Sequence, residues 1–335
     1  MLLPPRFEPL RWLRGPHGQT VFGTLLRPGP RLALRRERWD LSDGDFLDVE
    51  RLDGSSDAPL LIVLHGLEGS ASSHYVRGLL ARARDRGWRG MALNFRSCSG
   101  EANRLLRSYH SGETGDLGEA VRRARSESPR APLLLAGCSL GGNVVVKWLG
   151  EQGDAASVQA AVGLSVPFDL KLCAHALDAR DAMAFVYRTR FLRTLKRKAL
   201  EKADRFPQLD PSRVGAARTL FEFDEAVTAP VHGFSGAEDY WAQSSSGDFV
   251  PHVRVPLLLV SAEDDPFIPS ECLPRAAAMA NPSVTLEVYP HGGHLGFVAG
   301  PHLPWFWAEW RAVEFLAEHV ETASAGPRST AARMR

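Results

Sequence analysis

Residues 132–150 read PLLLAGCSLGGNVVVKWLG, and this stretch decides the fold. Its first five residues form a short apolar run, of the kind buried on both faces of a parallel sheet. Residues 143–151 read as a helix. Between them, Gly137-Cys138-Ser139-Leu140-Gly141 is a GxSxG pentapeptide. Such a pentapeptide also arises by chance, but strand–turn–helix is the setting in which it builds a nucleophile elbow. The glycines permit the crowded turn. The turn lifts Ser139 to the carboxyl end of the sheet, where open α/β folds bind ligands. It also brings the Leu140 N–H to a helix N-terminus, where a developing oxyanion is stabilised.

Working outward, the same kind of run recurs at 59–64 (PLLIVL), 90–95 (GMALNF), 158–164 (VQAAVGL), 256–260 (PLLLV) and 284–289 (VTLEVY). Residues 75–86 and 117–125 read as helices between them. Alternating strand and helix predicts an α/β fold with a mostly parallel central sheet flanked by helices. Ahead of the first run, 31–39 and 46–52 read as an antiparallel pair joined through the Asp43-Gly44-Asp45 turn. Residues 165–254 break the rhythm, with no strand-like run of comparable quality. They hold a basic, helix-prone segment at 191–205 (FLRTLKRKALEKADR) and a second, apolar-acidic one at 219–227. A stretch that long is normally structured and often functional. It predicts a mainly helical lid inserted after the sixth strand. The expectation is one α/β-hydrolase domain over 1–323 and a disordered polar tail over 324–335. No internal repeat is found.

Composition fits a globular domain: 44% hydrophobic and 24% charged residues in 335. The formal net charge of +1 lacks the basic excess of a nucleic-acid partner. Cys98, Cys138, Cys173 and Cys272 show no CxxC pair, and read as reduced thiols in a cytoplasmic setting. The N-terminal MLLPPRFEPLRWLRGPHGQT lacks the apolar core of a signal peptide. No run approaches the ~18 apolar residues of a spanning helix. Peripheral membrane contact stays open, and oligomeric state is not legible.

A serine hydroxyl needs a base to become a good nucleophile, and in this fold the chain order is serine, acid, histidine. Ser261-Ala262-Glu263-Asp264-Asp265-Pro266 follows the PLLLV run. Asp265 is favoured as the acid, because Pro266 holds the residue before it extended; Asp264 is the alternative. After VTLEVY come His291 and His294. His294, flanked by glycines and deeper in the loop, is favoured as the base over His291. A second oxyanion donor is expected from His65-Gly66-Leu67-Glu68-Gly69, with the Leu67 N–H the candidate and His65 shaping the loop. No P-loop, GxGxxG turn, HExxH or paired Cys/His spacing is present, so no metal or cofactor is expected. The tryptophans of 304–310 read as core packing, and the basic stripe of 190–202 as a solvated lid face, with attraction to an anionic lipid surface a weaker reading.

The chain resembles the YheT-like (embryogenesis-associated) branch of the α/β-hydrolases. The resemblance spans roughly 7–297. It is carried by LRGPHGQT, HGLEGSASSHY, NFRSCSGEANRLLRSYHSGETGD, GCSLGGNVVVKWLGE, LSVPFDL, FDEAVTAPVHGF, DYW, DDPFIP and GGHLGF. It implies an inserted helical cap, a triad of Ser139, Asp265 and His294, and action on short- to medium-chain carboxylic esters including acylglycerols. Cys138 and Ser97 depart from the family's pattern, which favours an aromatic residue and a glycine there. Those departures imply an altered pocket wall. For Arg96, Cys98, Asn103, Tyr109 and His110 the residues suggest either contact with the pocket or bracing of its rim.

The expectation is therefore a serine esterase of lipid or small-molecule esters. Ser139 would attack, His294 would move the proton, Asp265 would orient it, and the Leu67 and Leu140 N–H groups would hold the oxyanion. The alternatives are a thioesterase or acyltransferase on the same triad, or a non-catalytic ligand-binding protein of the same fold.

Overall fold

Leucine- and valine-rich runs with no polar break cannot lie on a sheet face that meets water. In the computed structural model, which describes residues 6–23, 27, 29–302 and 304–324, all six lie in one eight-stranded sheet. In chain order the strands are β1 (Arg35–Asp40), β2 (Phe46–Leu52), β3 (Leu60–Leu64), β4 (Arg89–Leu93), β5 (Leu133–Cys138), β6 (Ala160–Leu164), β7 (Leu257–Ala262) and β8 (Val284–Tyr289). Their spatial order is β1-β2-β4-β3-β5-β6-β7-β8. From β4 onward all pairs are parallel, whereas β1, β2 and β4 pair antiparallel. Every residue of β3, β5, β6 and β7 is buried. Edge strand β1 is mostly exposed and carries Arg35, Arg36, Glu37 and Arg38, charges that discourage pairing with another chain. It starts at Arg35, so the antiparallel reading of 31–34 does not hold.

Helices cover both faces. On one lie α2 (His74–Asp85) and the C-terminal helix (Trp307–Ser324), over a core that includes Val76, Leu79 and Leu316. On the other lie α3 (Gly115–Glu127) and α4 (Leu140–Gln152), whose Leu117, Val144 and Val145 join a second core with the helices that follow β6. A short α1 (Pro16–Val21) precedes the sheet. The Trp307 ring packs with Phe7, Tyr289 and Phe297 at centroid distances of 4.9–6.2 Å, closing the end where the last loop returns. Of the polar tail expected from 324 onward, Ser324 ends the C-terminal helix and the rest lies outside the described residues.

Between β6 and β7 the chain forms α5 (Leu170–Leu177), α6 (Ala182–Ala203), α7 (Pro211–Ala216), α8 (Leu220–Phe223), α9 (Ala229–His232) and α10 (Ala237–Ser244). The Asp181 carboxylate accepts from the Met183 and Ala184 N–H groups and starts α6, nine residues earlier than the basic pattern alone suggested. The second segment does not form one helix: α8 gives way to a π-turn at Asp224–Thr228, a form that concentrates at functional sites. The basic stripe is not a solvated face throughout. Lys202 is 3% exposed, and its ammonium donates to the Leu105, Leu106 and Arg107 carbonyls and the Ser108 hydroxyl at 2.7–3.1 Å. Among the described residues no helix is long and apolar enough to cross a membrane.

Candidate active site

β5 delivers the chain into a turn at Ser139, whose φ of 52° and ψ of −124° no ordinary strand or helix residue adopts. The turn can be that tight because a Cβ at Gly141 would stand 2.5 Å from the His65 carbonyl oxygen, and one at Gly137 would strike the Gly141 carbonyl. The structure brings His294 to this turn. Its Nε2 lies 2.9 Å from Ser139 Oγ, and its Nδ1 lies 2.9 and 3.1 Å from the two oxygens of Asp265. Asp265 is 7% exposed and His294 5%, so the chain of hydrogen bonds runs through a largely dry interior, where it is strengthened.

Each member is fixed from behind. The Phe267 N–H donates to Asp265 Oδ1 at 2.8 Å, and the Phe267 ring packs on the His294 ring at 4.3 Å. The His294 N–H donates to the Thr20 hydroxyl (2.9 Å) and the Leu295 N–H to the Ser165 hydroxyl (3.1 Å). Leu295 and Phe297 take φ of 56° and 40°, so the loop doubles back on itself to reach over the sheet. Asp264 and His291 lie apart from this line. Asp264 accepts from the Gly293 N–H (2.9 Å) and stands 3.3 Å from the half-exposed His291 ring.

The loop after β3 is held at nearly every polar group. His65 is fully buried, and burial pushes its imidazole down to about 4. The neutral ring accepts the Phe95 N–H on Nε2 (3.1 Å), which leaves Nδ1–H to donate to the Gly66 carbonyl (2.8 Å). The same carbonyl accepts the Gly69 N–H (3.0 Å), and the Gly66 N–H donates to the Tyr75 hydroxyl (3.1 Å). Gly66 C=O and Leu67 N–H belong to one planar trans peptide and point opposite ways. Fixing that carbonyl therefore aims the Leu67 N–H. Among the described residues neither it nor the Leu140 N–H has a protein acceptor.

Two cavities meet at Ser139 and His294. One lies under α5 and α6, with about 1230 Å³ of empty space including solvent at its mouth, and its wall includes Leu170, Ala174, Leu177, Leu195, Leu220 and Phe223. The other, between α2 and α6, is lined by Ser70, Ser72, Ser73, His74, Arg190 and Thr194. Ser97 lines the apolar cavity, but Cys138 does not: its side chain is fully buried in the core beneath α2 and the C-terminal helix. The expectation that Cys138 alters the pocket wall is corrected accordingly.

The segment after β4 braces the rim. Arg96 donates to both oxygens of Asp116 (2.8 and 2.9 Å), to Asp43 (2.7 Å) and to Asp45 (3.2 Å). The Asn103 amide bonds Asp45 and the Leu105 and Arg107 carbonyls. Tyr109 stacks on Phe95 and bonds Glu68. His110 lines the apolar cavity beside His232. Reading the residues in order missed the support from Thr20, Ser165 and Phe267. The signals were faint: Thr20 ends the GPHGQT run and Phe267 follows the Asp265-Pro266 pair. Nothing local marked Ser165.

A fold of this topology with a serine at the β5–α4 turn defines a class, and comparison with known proteins agrees. A family model described as the alpha/beta hydrolase fold matches residues 59–301. The chain is 36% identical to the YheT protein of Escherichia coli (strain K12) over 325 residues, 95% of each chain. It is 31% identical to an embryogenesis-associated protein of Picea glauca, covering 88% of this chain and 67% of that one. An esterase of Pyrococcus furiosus superposes with a TM-score of 0.56 at 18% identity, covering 96% of this chain and 98% of that one. The chain belongs to the α/β-hydrolase fold family, in the branch that holds YheT.

Proposed function

We propose that the protein hydrolyses short- to medium-chain carboxylic esters, acylglycerols among them, through an acyl-enzyme on Ser139. The observation that carries this is the continuous line from Asp265 through His294 to the Ser139 hydroxyl, each step at 2.9 Å. Ser139 Oγ bonds to the ester carbonyl carbon as its proton passes to His294 Nε2. The oxyanion so formed is held by the Leu67 and Leu140 N–H groups. Asp265 stabilises the imidazolium without taking its proton. Collapse breaks the bond to the alcohol, which leaves with the proton from His294. Water then attacks the acyl-enzyme, giving its proton to His294; Ser139 recovers it as the carboxylic acid departs.

The apolar cavity under α5 and α6 suits an acyl chain, and the hydroxyl-lined one suits a polar leaving alcohol. In this reading α5–α10 act as a lid on a single catalytic domain. Relatives named as a phospholipase in Mus musculus (29% identical) and a monoacylglycerol lipase in Saccharomyces cerevisiae (28%) support a lipid ester. The exposed Phe185 and Val186 beside the arginines of α6 support peripheral contact with lipid. Four free, buried cysteines support a cytoplasmic setting.

The test is a fluorophosphonate probe together with p-nitrophenyl esters from acetate to palmitate, on wild type and Ser139→Ala. Labelling and turnover should be lost in the variant, with kcat down by roughly 10⁴–10⁶-fold, and the ester series should fade at long chains. A folded wild type that takes no label overturns the reading. Label without ester turnover moves it to thioesters or to transfer onto an alcohol.

A further inference from the structure

The residue after the Leu67 oxyanion donor is held in an unusual way. Glu68 takes φ of 54°, in the left-handed region that strains a residue with a Cβ. Its carboxylate is nevertheless only 5% exposed. Three bonds keep it there. The Glu68 N–H donates to the Tyr109 hydroxyl at 2.9 Å, that hydroxyl donates to Glu68 Oε1 at 2.7 Å, and the Lys198 ammonium donates to the same oxygen at 2.9 Å. Tyr109 is itself fixed by stacking on Phe95 (5.2 Å, 10°), whose N–H is held by His65.

Lys198 is the outsider in this group. It comes from α6, 130 residues further along the chain. Lys202, one turn further on, and Arg205, just past the end of the helix, hydrogen-bond the carbonyls of 104–107, so the basic C-terminal end of α6 is seated on the loops around the site. A carboxylate this enclosed needs a cation. Without Lys198 its stable response is to turn outward, which removes the acceptor of the Tyr109 hydroxyl and frees a strained turn to relax. The Gly69 N–H just past that turn holds the Gly66 carbonyl at 3.0 Å, and the Leu67 N–H lies in the same peptide as that carbonyl, so relaxing the turn moves it.

We propose that seating α6 completes the oxyanion hole, with Lys198 and Glu68 as positioning residues that set the Leu67 N–H through the left-handed turn. This rests on the esterase reading above and names the contact that couples its lid to its chemistry. A purely structural ion pair would lower the melting temperature and leave the ratio of transition-state to substrate binding alone. The coupling acts on that ratio.

The experiment uses the full chain, p-nitrophenyl butyrate, and a trifluoromethyl ketone whose adduct on serine carries an oxyanion. Lys198→Met and Glu68→Gln should each lower kcat by about 10- to 100-fold, below the full loss of an oxyanion donor, with KM within about twofold. Ketone affinity should fall by the same factor. The double variant should be no slower than the slower single one, and Lys198→Arg should restore most of the rate. Arg197→Met, which breaks the solvent-facing pair with Glu201 on the same helix, should match wild type. If Lys198→Met does not fold, Glu68→Gln carries the same readout. Wild-type kcat in both variants overturns the proposal, as does a loss confined to KM with ketone affinity unchanged. Failure of the esterase reading is separable, because wild type itself would then neither label nor turn over.

Discussion

Asp264 and Asp265 are neighbours in the chain, yet their carboxylates serve different histidines. Asp265 meets the buried His294 at 2.9 Å, and Asp264 faces the half-exposed His291 at 3.3 Å. Successive side chains on an extended segment point opposite ways, so a one-residue difference separates a carboxylate inside the site from one at the surface.

That separation is measurable. Asp265→Asn should lower kcat by about 10⁴-fold, because an amide can no longer hold the Nδ1–H tautomer or stabilise the imidazolium. Asp264→Asn should stay within about tenfold of wild type, its main task being the Gly293 N–H. Steady-state rates on p-nitrophenyl butyrate decide it, and equal losses in the two variants would count against Asp265 as the acid.

Stability should fall with acid through buried histidines. Burial pushes His65 and His110 down to about 4 and His232 to about 3, against 6.5 for the free side chain. Between those values the unfolded chain binds protons that the folded chain refuses. Their contribution is therefore full above pH 6.5 and is lost as pH falls toward 4. Asp224, which burial raises to about 6, has the opposite sign in the same window. The comparison is thus best made by difference. The urea midpoint of His232→Gln should fall less between pH 7 and pH 5 than that of wild type. An unchanged slope would show that His232 titrates normally in the folded protein.

The rim should depend on Arg96. Its guanidinium is 4% exposed and sits among Asp43, Asp45 and Asp116. Arg96→Met would leave Asp45 and Asp116 buried without their cation, a change worth about 3–5 kcal/mol. Urea unfolding should show a loss of that size. A loss below about 1 kcal/mol would mean that the carboxylates find other partners or take up protons.

Much of the sheet was legible because a strand buried on both faces has to be apolar without interruption, and β3, β5, β6 and β7 are. β1 was legible only in part: at an edge the apolar alternation weakens, and residues 31–34 read as strand without pairing. The helical content of 165–254 followed from its lack of strand-like runs, but not the break at the π-turn of Asp224–Thr228, whose Asp224 carboxylate meets the Trp241 indole N–H only after folding. The basic stripe on α6 misled for a similar reason. A lysine with four carbonyl and hydroxyl acceptors is as comfortable inside as a solvated one outside, and the sequence of the helix does not say which acceptors will be there.

The sequence by itself determined the order of strands and helices, the glycine-framed turn at Ser139, and the loops from which Asp265, His294 and Leu67 come. These rest on local physics: apolar periodicity, the freedom of glycine, and the extended bias before Pro266. Tertiary structure alone decided how the groups are held. Thr20 under His294, Ser165 under Leu295, the Phe95 N–H on His65 and Lys198 against Glu68 join residues from 30 to 274 positions apart. Hydrogen bonds and ion pairs of that reach leave no periodic mark in a chain, because they depend on where the sheet and its insertion bring distant segments together.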